Sequence, residues 1–175
     1  MNYLTLDLET TGLDTQISSP IQLAYEVRDH LGDLKEKRAF YIQPEKEILP
    51  DYTSPNGITY DALYNAVKPR DAADQYHALV WRHQPCTLLG FNIINFDLPI
   101  LQNWLTRNKS GNFKFPPIQQ VIDVMFLAQQ FLKMKKWPKL IYAAKVLEIP
   151  VEEERFHEAG YDVAITWEIY SRINS

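Results

Sequence analysis

Apolar and polar residues alternate along the first part of the chain. The alternation over residues 3–8 stops at Thr-Thr-Gly, which predicts a β-strand that ends in a turn. Residues 21–28 and 38–43 predict two more strands, and His-Leu-Gly-Asp at residues 30–33 predicts the hairpin turn between them. The chain is therefore expected to begin with three strands, of which the last two form a hairpin.

The rest of the chain alternates between short apolar segments and segments with helical spacing. Residues 50–57 are rich in turn-forming residues. Strands are predicted at residues 87–91 and 120–124, and helices at residues 60–67, 72–82, 98–106, 125–133, 139–147 and 159–173. Leading strands followed by strands that alternate with helices predict the α/β class, with a mixed sheet and helices on its faces.

Length and composition narrow the class of protein. The 175 residues, 46% hydrophobic and 23% charged, suit a single domain over residues 1–175 and exclude a collagen-like, disordered or coiled-coil chain. No apolar run reaches the ~18 residues that span a bilayer, and the N-terminus lacks the basic start and cleavage site of a signal peptide. Because the only cysteine, Cys86, suits a reducing compartment, we expect a cytoplasmic protein.

Charge is distributed unevenly along the sequence. The formal net charge is −4, yet the segment between Trp104 and Leu140 carries +6 and the remainder −10. This segment has one acid, Asp123, and seven basic residues: Arg107, Lys109, Lys114, Lys133, Lys135, Lys136 and Lys139. A basic flank beside an acidic body suits a metal-dependent enzyme that acts on a polyanion, and a solvated lysine-rich surface explains the pattern equally well.

Two acids stand at the end of the first predicted strand. Asp7 and Glu9 are two residues apart, so both side chains project from one face of the strand. The apolar Leu6 and Leu8 then face the core. Neighbouring carboxylates repel each other unless cations neutralise them, and such oxygen ligands suit Mg²⁺ or Mn²⁺. No basic residue precedes Arg28 to pair with them, which favours a metal site over a solvent-facing strand edge.

Three further residues are candidates for chemistry. Asp97 follows a predicted strand and opens a predicted helix, where an Asp serves either as a helix cap or in a ligand site. His157 and Asp162 are five residues apart, about 140° out of phase on a helix, so one of them, most simply His157, is expected in the preceding loop. A loop histidine suits a general base because its pKa lies near neutrality, although such residues are more often ordinary surface residues.

These five residues resemble, in order and spacing, the three motifs of the DEDDh 3′→5′ exonucleases. This family belongs to the DnaQ-like superfamily, which includes the proofreading subunit of bacterial replicative DNA polymerase. Residues 6–13, Leu-Asp-Leu-Glu-Thr-Thr-Gly-Leu, match the first motif almost letter for letter. Asn-Gly-Ile-Thr at residues 56–59 resembles the family's His-Gly-Ile-Thr element, and Asp123 matches the acid that commonly precedes the next helix.

The resemblance implies a ribonuclease-H-like fold with a five-stranded mixed sheet, and two divalent ions, Mg²⁺ or Mn²⁺, as cofactors. The residues that match the family's metal ligands are Asp7, Glu9, Asp97 and Asp162. His157 matches the general base that accepts a proton from the attacking water, and the products are nucleoside 5′-monophosphates. The positions that match substrate contacts are Thr10, Thr11, Leu13, Ile58 and Asn92. Leu13 and Ile58 are also explained as ordinary core residues.

Two departures from the family pattern concern the second and third motifs. Phe91 precedes Asn92 where many members have His, which makes the second motif similar to the proofreading domain of B-family DNA polymerases. Those polymerase domains use Tyr-x₃-Asp in the third motif. Glu158 occupies the place of that tyrosine here, so the histidine version of the motif fits this chain.

Two other classes of protein are alternatives. Residues 7–11 are one acid away from the Asp-x-Asp-x-Thr motif of haloacid-dehalogenase-type phosphatases, but that class leaves Asp97 and His157 unexplained. A nucleic-acid-binding module that keeps the nuclease fold without catalysis usually lacks some of the ligands, and all five positions are filled here.

The expected partner is single-stranded nucleic acid or a 3′ end, and no membrane. DNA is favoured over RNA, but an exoribonuclease of the same family stays open because recognition of the 2′-hydroxyl depends on geometry that no motif reveals. The lysines at residues 133–139, around Trp137, either track phosphates or form a solvated surface. A stand-alone enzyme is favoured over a polymerase subunit, because the chain ends shortly after the last predicted helix without a tethering tail.

Overall fold

The computed structural model describes residues 1–45, 58–108 and 118–175. Its strands are β1 (Asn2–Thr10), β2 (Pro20–Asp29), β3 (Leu34–Tyr41), β4 (Cys86–Gly90) and β5 (Gln120–Asp123). Its helices are α1 (Tyr60–Tyr64), α2 (Pro69–Arg82), α3 (Asp97–Asn108), α4 (Val124–Phe131), α5 (Leu140–Val146) and α6 (Ala159–Ile173), with a 3₁₀ turn over Glu153–Arg155. The five predicted strands are confirmed, whereas α1 ends earlier than predicted and the 3₁₀ turn was not predicted. The turn-rich residues 50–57 lie outside the described ranges.

The strands form one mixed sheet in the order β3-β2-β1-β4-β5. Strand β1 pairs antiparallel with β2, which pairs antiparallel with β3. On its other side β1 pairs parallel with β4, and β4 pairs parallel with β5. The carboxyl ends of β1, β4 and β5 therefore lie at the same edge of the sheet, which is where α/β sheets gather ligands.

Helices cover both faces of the sheet, as predicted. The alternating Leu4, Leu6 and Leu8 of β1 are buried in a core shared with α2 and α3. The opposite face is covered by α4, α5 and α6, whose apolar side chains form a second core with Leu89 of β4. None of the helices in the described ranges is long and apolar enough to cross a membrane.

Small residues let the start of α6 lie close to the sheet. Ala24 of β2 packs against Ala159 and Val163 of α6, and all three are buried. A Cβ atom on Gly160 would stand 3.7 Å from the Cβ of Ala39, an ordinary van der Waals contact with β3. This close approach brings the first turn of α6, with Asp162, towards the middle of the sheet.

Candidate active site

The predicted catalytic acids meet at the edge formed by the carboxyl ends of β1 and β4. The pairing between these strands extends only to Thr5, opposite Leu89, so Asp7 and Glu9 project beyond it. Leu6 and Leu8 are 1% and 4% exposed on the α2–α3 side, which confirms the predicted orientation of the strand. Because side chains alternate along a strand, the two acids lie on the face that α6 covers.

Asp97 connects the second motif to the first. It is the first residue of α3 and is buried, and its Oδ1 accepts a hydrogen bond of 3.1 Å from the backbone N–H of Leu8, 89 residues away in sequence. The carboxylate therefore points to β1 and is more than a cap of its own helix. The turn that leads from β4 to α3 requires Gly90, because a Cβ atom there would lie 2.7 Å from the Cβ of Ile93.

Asp123, at the end of β5, holds the loop between β4 and α3. Its Oδ1 accepts hydrogen bonds of 3.0 Å from the N–H groups of Asn92 and Met125, and its Oδ2 accepts one of 3.1 Å from Ile94. The side chain is 4% exposed, so these contacts are shielded from water. Asp123 thus caps α4 and fixes Asn92, whose φ of 62° lies in the left-handed region.

The third motif is divided between a loop and a helix, as its spacing predicts. Asp162 lies in the first turn of α6, and exposed His157 precedes the helix. The N–H of His157 donates to Oδ2 of Asp162 at 3.3 Å. The other oxygen, Oδ1, is buried and receives no hydrogen bond from the described residues. His157 has a φ of 74°, a strained conformation for a non-glycine residue of the kind that clusters at functional sites.

Tyr161 holds the loop that carries His157, a role that the motif analysis did not predict. Its hydroxyl accepts a hydrogen bond of 2.6 Å from the N–H of Glu152. Its ring packs edge-on against Phe156 at 5.4 Å, and the guanidinium of Arg155 lies 4.6 Å from the ring centroid. The only sequence signal for this role is the position of Tyr161 next to Asp162.

The acids at this edge raise one another's pKa. Burial raises the pKa of Asp7 well above its usual value, and the charges of Asp97, Asp162 and Glu9 raise it further. Burial also raises the pKa of Asp97 to about 7, against the hydrogen bond from Leu8. These shifts show that Asp7 lies within electrostatic reach of acids from α3, α6 and its own strand.

Asp162 is shifted in the same direction. Burial raises its pKa to about 6, and the negative charge of Glu158 adds to the shift. The N–H and the positive charge of His157 oppose it. A fully ionised edge would therefore carry several carboxylates at close range in a poorly hydrated place.

The donor set suits divalent cations. Carboxylate oxygens are the ligands that Mg²⁺ and Mn²⁺ prefer, and the buried Oδ1 of Asp162 has no hydrogen-bond partner among the described residues. Within the described ranges no three His, Cys, Asp or Glu side chains are already gathered closely enough to hold a metal ion. The carboxylates would therefore have to turn towards one another around the cation.

The end of β1 and the loop that follows it contain three of the residues predicted to contact substrate. The hydroxyl of Thr10 donates to the carbonyl of Gly12 at 2.8 Å, and that of Thr11 accepts from the N–H of Ser19 at 3.0 Å. Both threonines thus shape the loop. Leu13 is 85% exposed, so the core explanation is wrong for this residue and an apolar side chain is available for contact.

The other two predicted substrate residues differ in burial. Ile58 is 7% exposed and packs with Ile21 and Leu63, as the core explanation expects. Asn92 is partly exposed, and its Oδ1 accepts a hydrogen bond of 3.4 Å from Asn95. The two residues before Ile58 in the Asn-Gly-Ile-Thr element lie outside the described ranges.

Arg107 fastens the same loop from α3. Its guanidinium donates to the carbonyl of Ser18 at 3.1 Å and to the hydroxyl of Ser19 at 3.3 Å. It also forms an ion pair of 2.9 Å with Glu45, whose carboxylate accepts hydrogen bonds from Ser19 and Asn108. Arg107, one of the basic residues of the 104–140 segment, is therefore neutralised within the fold. Lys109 and Lys114 of that segment lie outside the described ranges.

Acids from β1, α3 and α6 thus lie at the strand ends of a mixed sheet that helices cover on both faces, and His157 lies beside Asp162. The family model of the RNase T exonucleases matches residues 4–170, and the chain belongs to this exonuclease family. The predicted membership of the DnaQ-like exonucleases is thereby confirmed.

Curated relatives agree with the family, although the chain spans only a small part of each. The PolC-type DNA polymerase III of Ureaplasma parvum is 24% identical over 168 residues, which cover 96% of this chain and 11% of the polymerase. Exodeoxyribonuclease I of Buchnera aphidicola subsp. Schizaphis graminum is 24% identical over an alignment 192 residues long, which covers 97% of this chain and 38% of that enzyme.

Solved structures confirm the fold. E. coli exonuclease I in complex with a dT13 oligonucleotide superposes with a TM-score of 0.78 and 22% identity, covering 99% of this chain and 40% of that one. The zinc-bound form of the same enzyme with single-stranded DNA gives a TM-score of 0.80 and 23% identity, with 99% and 40% covered. The ribonuclease-H-like fold implied by the motifs is therefore present.

Proposed function

We propose that residues 1–175 form a metal-dependent 3′→5′ exonuclease domain that releases nucleoside 5′-monophosphates from single-stranded DNA. The observation that carries this proposal is the convergence of Asp7, Asp97 and Asp162, from three separate segments, at one edge of the sheet with raised pKa values. Membership of an exonuclease family supports the same chemistry.

Each residue has a distinct part in the proposed reaction. Asp7 would be the central residue of the ligand set, because the charges of Glu9, Asp97 and Asp162 all act on it. Two divalent ions, Mg²⁺ or Mn²⁺, held by these four carboxylates would activate water and stabilise the leaving 3′-oxygen. His157 accepts the proton from the attacking water through its exposed imidazole, while its backbone stays fixed on Asp162.

The substrate class is proposed from the loop after β1 and from the relatives. Exposed Leu13 offers an apolar contact for a terminal base, while Thr10, Thr11, Ile58 and Asn92 stay predicted substrate residues. The similar structures of exonuclease I contain single-stranded DNA, and the curated relatives are a DNA polymerase and an exodeoxyribonuclease. DNA is therefore the proposed substrate, with an exoribonuclease as the second candidate. A polymerase partner and a cytoplasmic location stay predictions.

The direct test is the digestion of matched single-stranded DNA, single-stranded RNA and duplex DNA, each labelled at either end, in Mg²⁺, Mn²⁺ or excess chelator. We expect 3′ label to appear at once as mononucleotide and 5′ label to shorten progressively, only with a divalent ion. Glu168→Gln, an exposed acid on the same helix as Asp162, is the matched control and should keep full activity. Hydrolysis that persists in chelator, or that begins at the 5′ end, would contradict the proposal.

A further inference from the structure

The loop between α4 and α5, residues 132–139, is strongly basic and presents an exposed aromatic ring. It contains four exposed lysines and no acid: Lys133, Lys135, Lys136 and Lys139. No carboxylate of the described residues lies within 4.0 Å of their Nζ atoms, in contrast to Arg107. Trp137 is 58% exposed, and Phe131 immediately before the loop is 53% exposed. Two large aromatic side chains are thus exposed close to cations that pair with no described carboxylate.

This α4–α5 loop returns towards the candidate active site. Helix α4 starts directly after Asp123, which holds Asn92 beside the acidic edge. The ring of Trp137 lies 4.8 Å from that of Phe126, in the first turn of α4. Lys133, with a φ of 51°, marks the point where the chain turns back from the far end of the helix. Trp137 therefore stands beside the beginning of α4, on the side of the molecule where Asp123 and the acidic edge lie.

We propose that the α4–α5 loop binds the part of a single-stranded nucleic acid that lies upstream of the 3′ end held in the active site. Four lysines within the seven residues 133–139 offer several cations to the repeated phosphates of a single strand. An exposed indole that is already supported by Phe126 offers a face on which a base stacks without regard to sequence. This inference rests on the proposed exonuclease function and adds a second contact region to it.

The test compares short and long substrates. Lys133, Lys135, Lys136 and Lys139 are changed to Gln together, and Trp137→Ala is made separately. The control is Lys35→Gln with Lys37→Gln, two exposed cations of the edge strand β3. Binding of 5′-fluorescein oligo(dT) of about 4 and about 20 nucleotides is followed by anisotropy in chelator over a range of salt. KM and kcat are then measured with Mn²⁺.

The expected result depends on strand length. For the 20-nucleotide strand the quadruple variant should bind at least about tenfold more weakly, and the slope of log K against log salt should fall by up to ~0.7 per lost phosphate contact. Trp137→Ala should weaken binding of that strand by about five- to a hundredfold, as loss of one stacked base does. Neither change should alter kcat, or binding of the 4-nucleotide strand, and the β3 control should keep the wild-type slope.

Several results would overturn the inference. The loop does not contact the substrate if the salt slope for the long strand is unchanged in the quadruple variant. The same conclusion follows if binding affinity falls equally for both strand lengths, or falls equally in the β3 control. Binding of poly-glutamate that the quadruple variant loses, with DNA binding intact, would assign the loop to an acidic protein partner instead. If the wild type degrades no strand, the proposed function fails, whereas binding in chelator still decides whether the loop contacts nucleic acid.

Discussion

Two groups of acidic side chains in this molecule have opposite surroundings. Glu36 of β3 accepts hydrogen bonds from the hydroxyl of Tyr25 at 2.6 Å and from Arg82 at 2.7 Å, and contacts His83 at 2.8 Å. Burial raises its pKa, but these partners outweigh burial and lower the pKa to about 2. At the carboxyl edge of β1, burial and neighbouring carboxylates act in the same direction, and the pKa of Asp97 is raised to about 7.

The two groups differ in whether basic side chains of the chain itself form ion pairs with the acids. Glu36 is supplied with cations by the chain itself, and so are Glu26, through Arg28 and Lys37, and Glu45 through Arg107. Asp7 and Asp162 have no ion pair with a basic side chain among the described residues apart from the influence of His157 on Asp162. Such an arrangement costs stability, which a cation from solution would offset under the proposed function.

The largest expected effect comes from removing one acid of each group. Asp7→Asn should reduce the single-turnover rate by at least about two decades, because it removes the central carboxylate while keeping the size of the side chain. Glu36→Gln should leave the rate within about twofold but lower the free energy of unfolding by about 1–3 kcal/mol, because Arg82 and His83 lose the negative charge and one of the two acceptor oxygens of the carboxylate. Rates and denaturant melts of both variants are the measurement. Equal losses of activity would abolish the distinction between the two groups.

The next effect separates the general base from the ligand within the third motif. His157→Ala should lose about two to four decades in kcat while divalent-ion affinity changes little, because the carboxylates stay. Asp162→Asn should weaken ion binding and be partly rescued by high Mn²⁺. Calorimetric Mn²⁺ titration beside single-turnover rates measures both variants. If His157→Ala loses the ion as severely as Asp162→Asn, His157 is a ligand and its role as base is wrong.

A smaller effect concerns stability without metal. The pKa of Asp97 is about 7 in the folded protein and near 3.8 in the unfolded chain, so wild-type stability should fall as pH rises from about 4 to about 7. Asp97→Asn lacks this ionisation and keeps an acceptor for Leu8. In chelator at pH 8 the variant should be more stable than wild type by at least about 1 kcal/mol, or a few degrees in Tm.

The pH dependence of stability has the opposite sign for Glu36, and Glu36 therefore serves as the control for that experiment. Because its pKa is lowered in the folded protein, its contribution is present above about pH 4.5 and is lost as pH falls towards 2. Glu36→Gln should therefore be less stable than wild type at neutral pH, and this difference in the free energy of unfolding should shrink only in acid. An Asp97→Asn protein that melts below wild type at pH 8 in chelator would contradict the repulsion inferred at the edge.

The smallest effect is expected at Arg107, which fastens the loop that carries Leu13. Arg107→Gln should raise KM for oligo(dT) about three- to tenfold, a loss of about 1 kcal/mol in binding, with kcat within about twofold. Arg107→Lys keeps the charge towards Glu45 but loses the forked geometry, so it should restore KM only in part. Steady-state kinetics of both variants are the check. A fall in kcat with unchanged KM would mean that the loop affects the chemical step instead.

The sequence predicted the strands, the helices and the acids because those signals are local. Alternation predicted that Asp7 and Glu9 share a face, and a spacing of five placed His157 outside the helix that contains Asp162. The bond between Asp97 and Leu8, by contrast, joins residues 89 positions apart and depends on how α3 packs on the sheet. No periodic pattern carries that information.

The sequence also could not predict whether an individual apolar residue is buried. Leu13 and Ile58 are of the same chemical type, and both were open to a core or a substrate explanation. The structure leaves Leu13 in a solvent-facing loop that Arg107 and Thr11 fasten, while Ile58 packs with Ile21. The same holds for Tyr161, whose hydroxyl reaches the backbone of Glu152 only because the 3₁₀ turn folds back on α6.

We propose that the acidic edge holds protons while no cation is bound and releases them when a divalent ion binds. Calorimetric titration of Mn²⁺ in buffers of different ionisation enthalpy measures the protons released. With Asp97 and Asp162 at pKa values of about 7 and about 6, release should be substantial at pH 6 and small at pH 8. Asp7→Asn should bind the ion much more weakly. Binding that releases no protons at pH 6, or that survives Asp7→Asn unchanged, would contradict the claim.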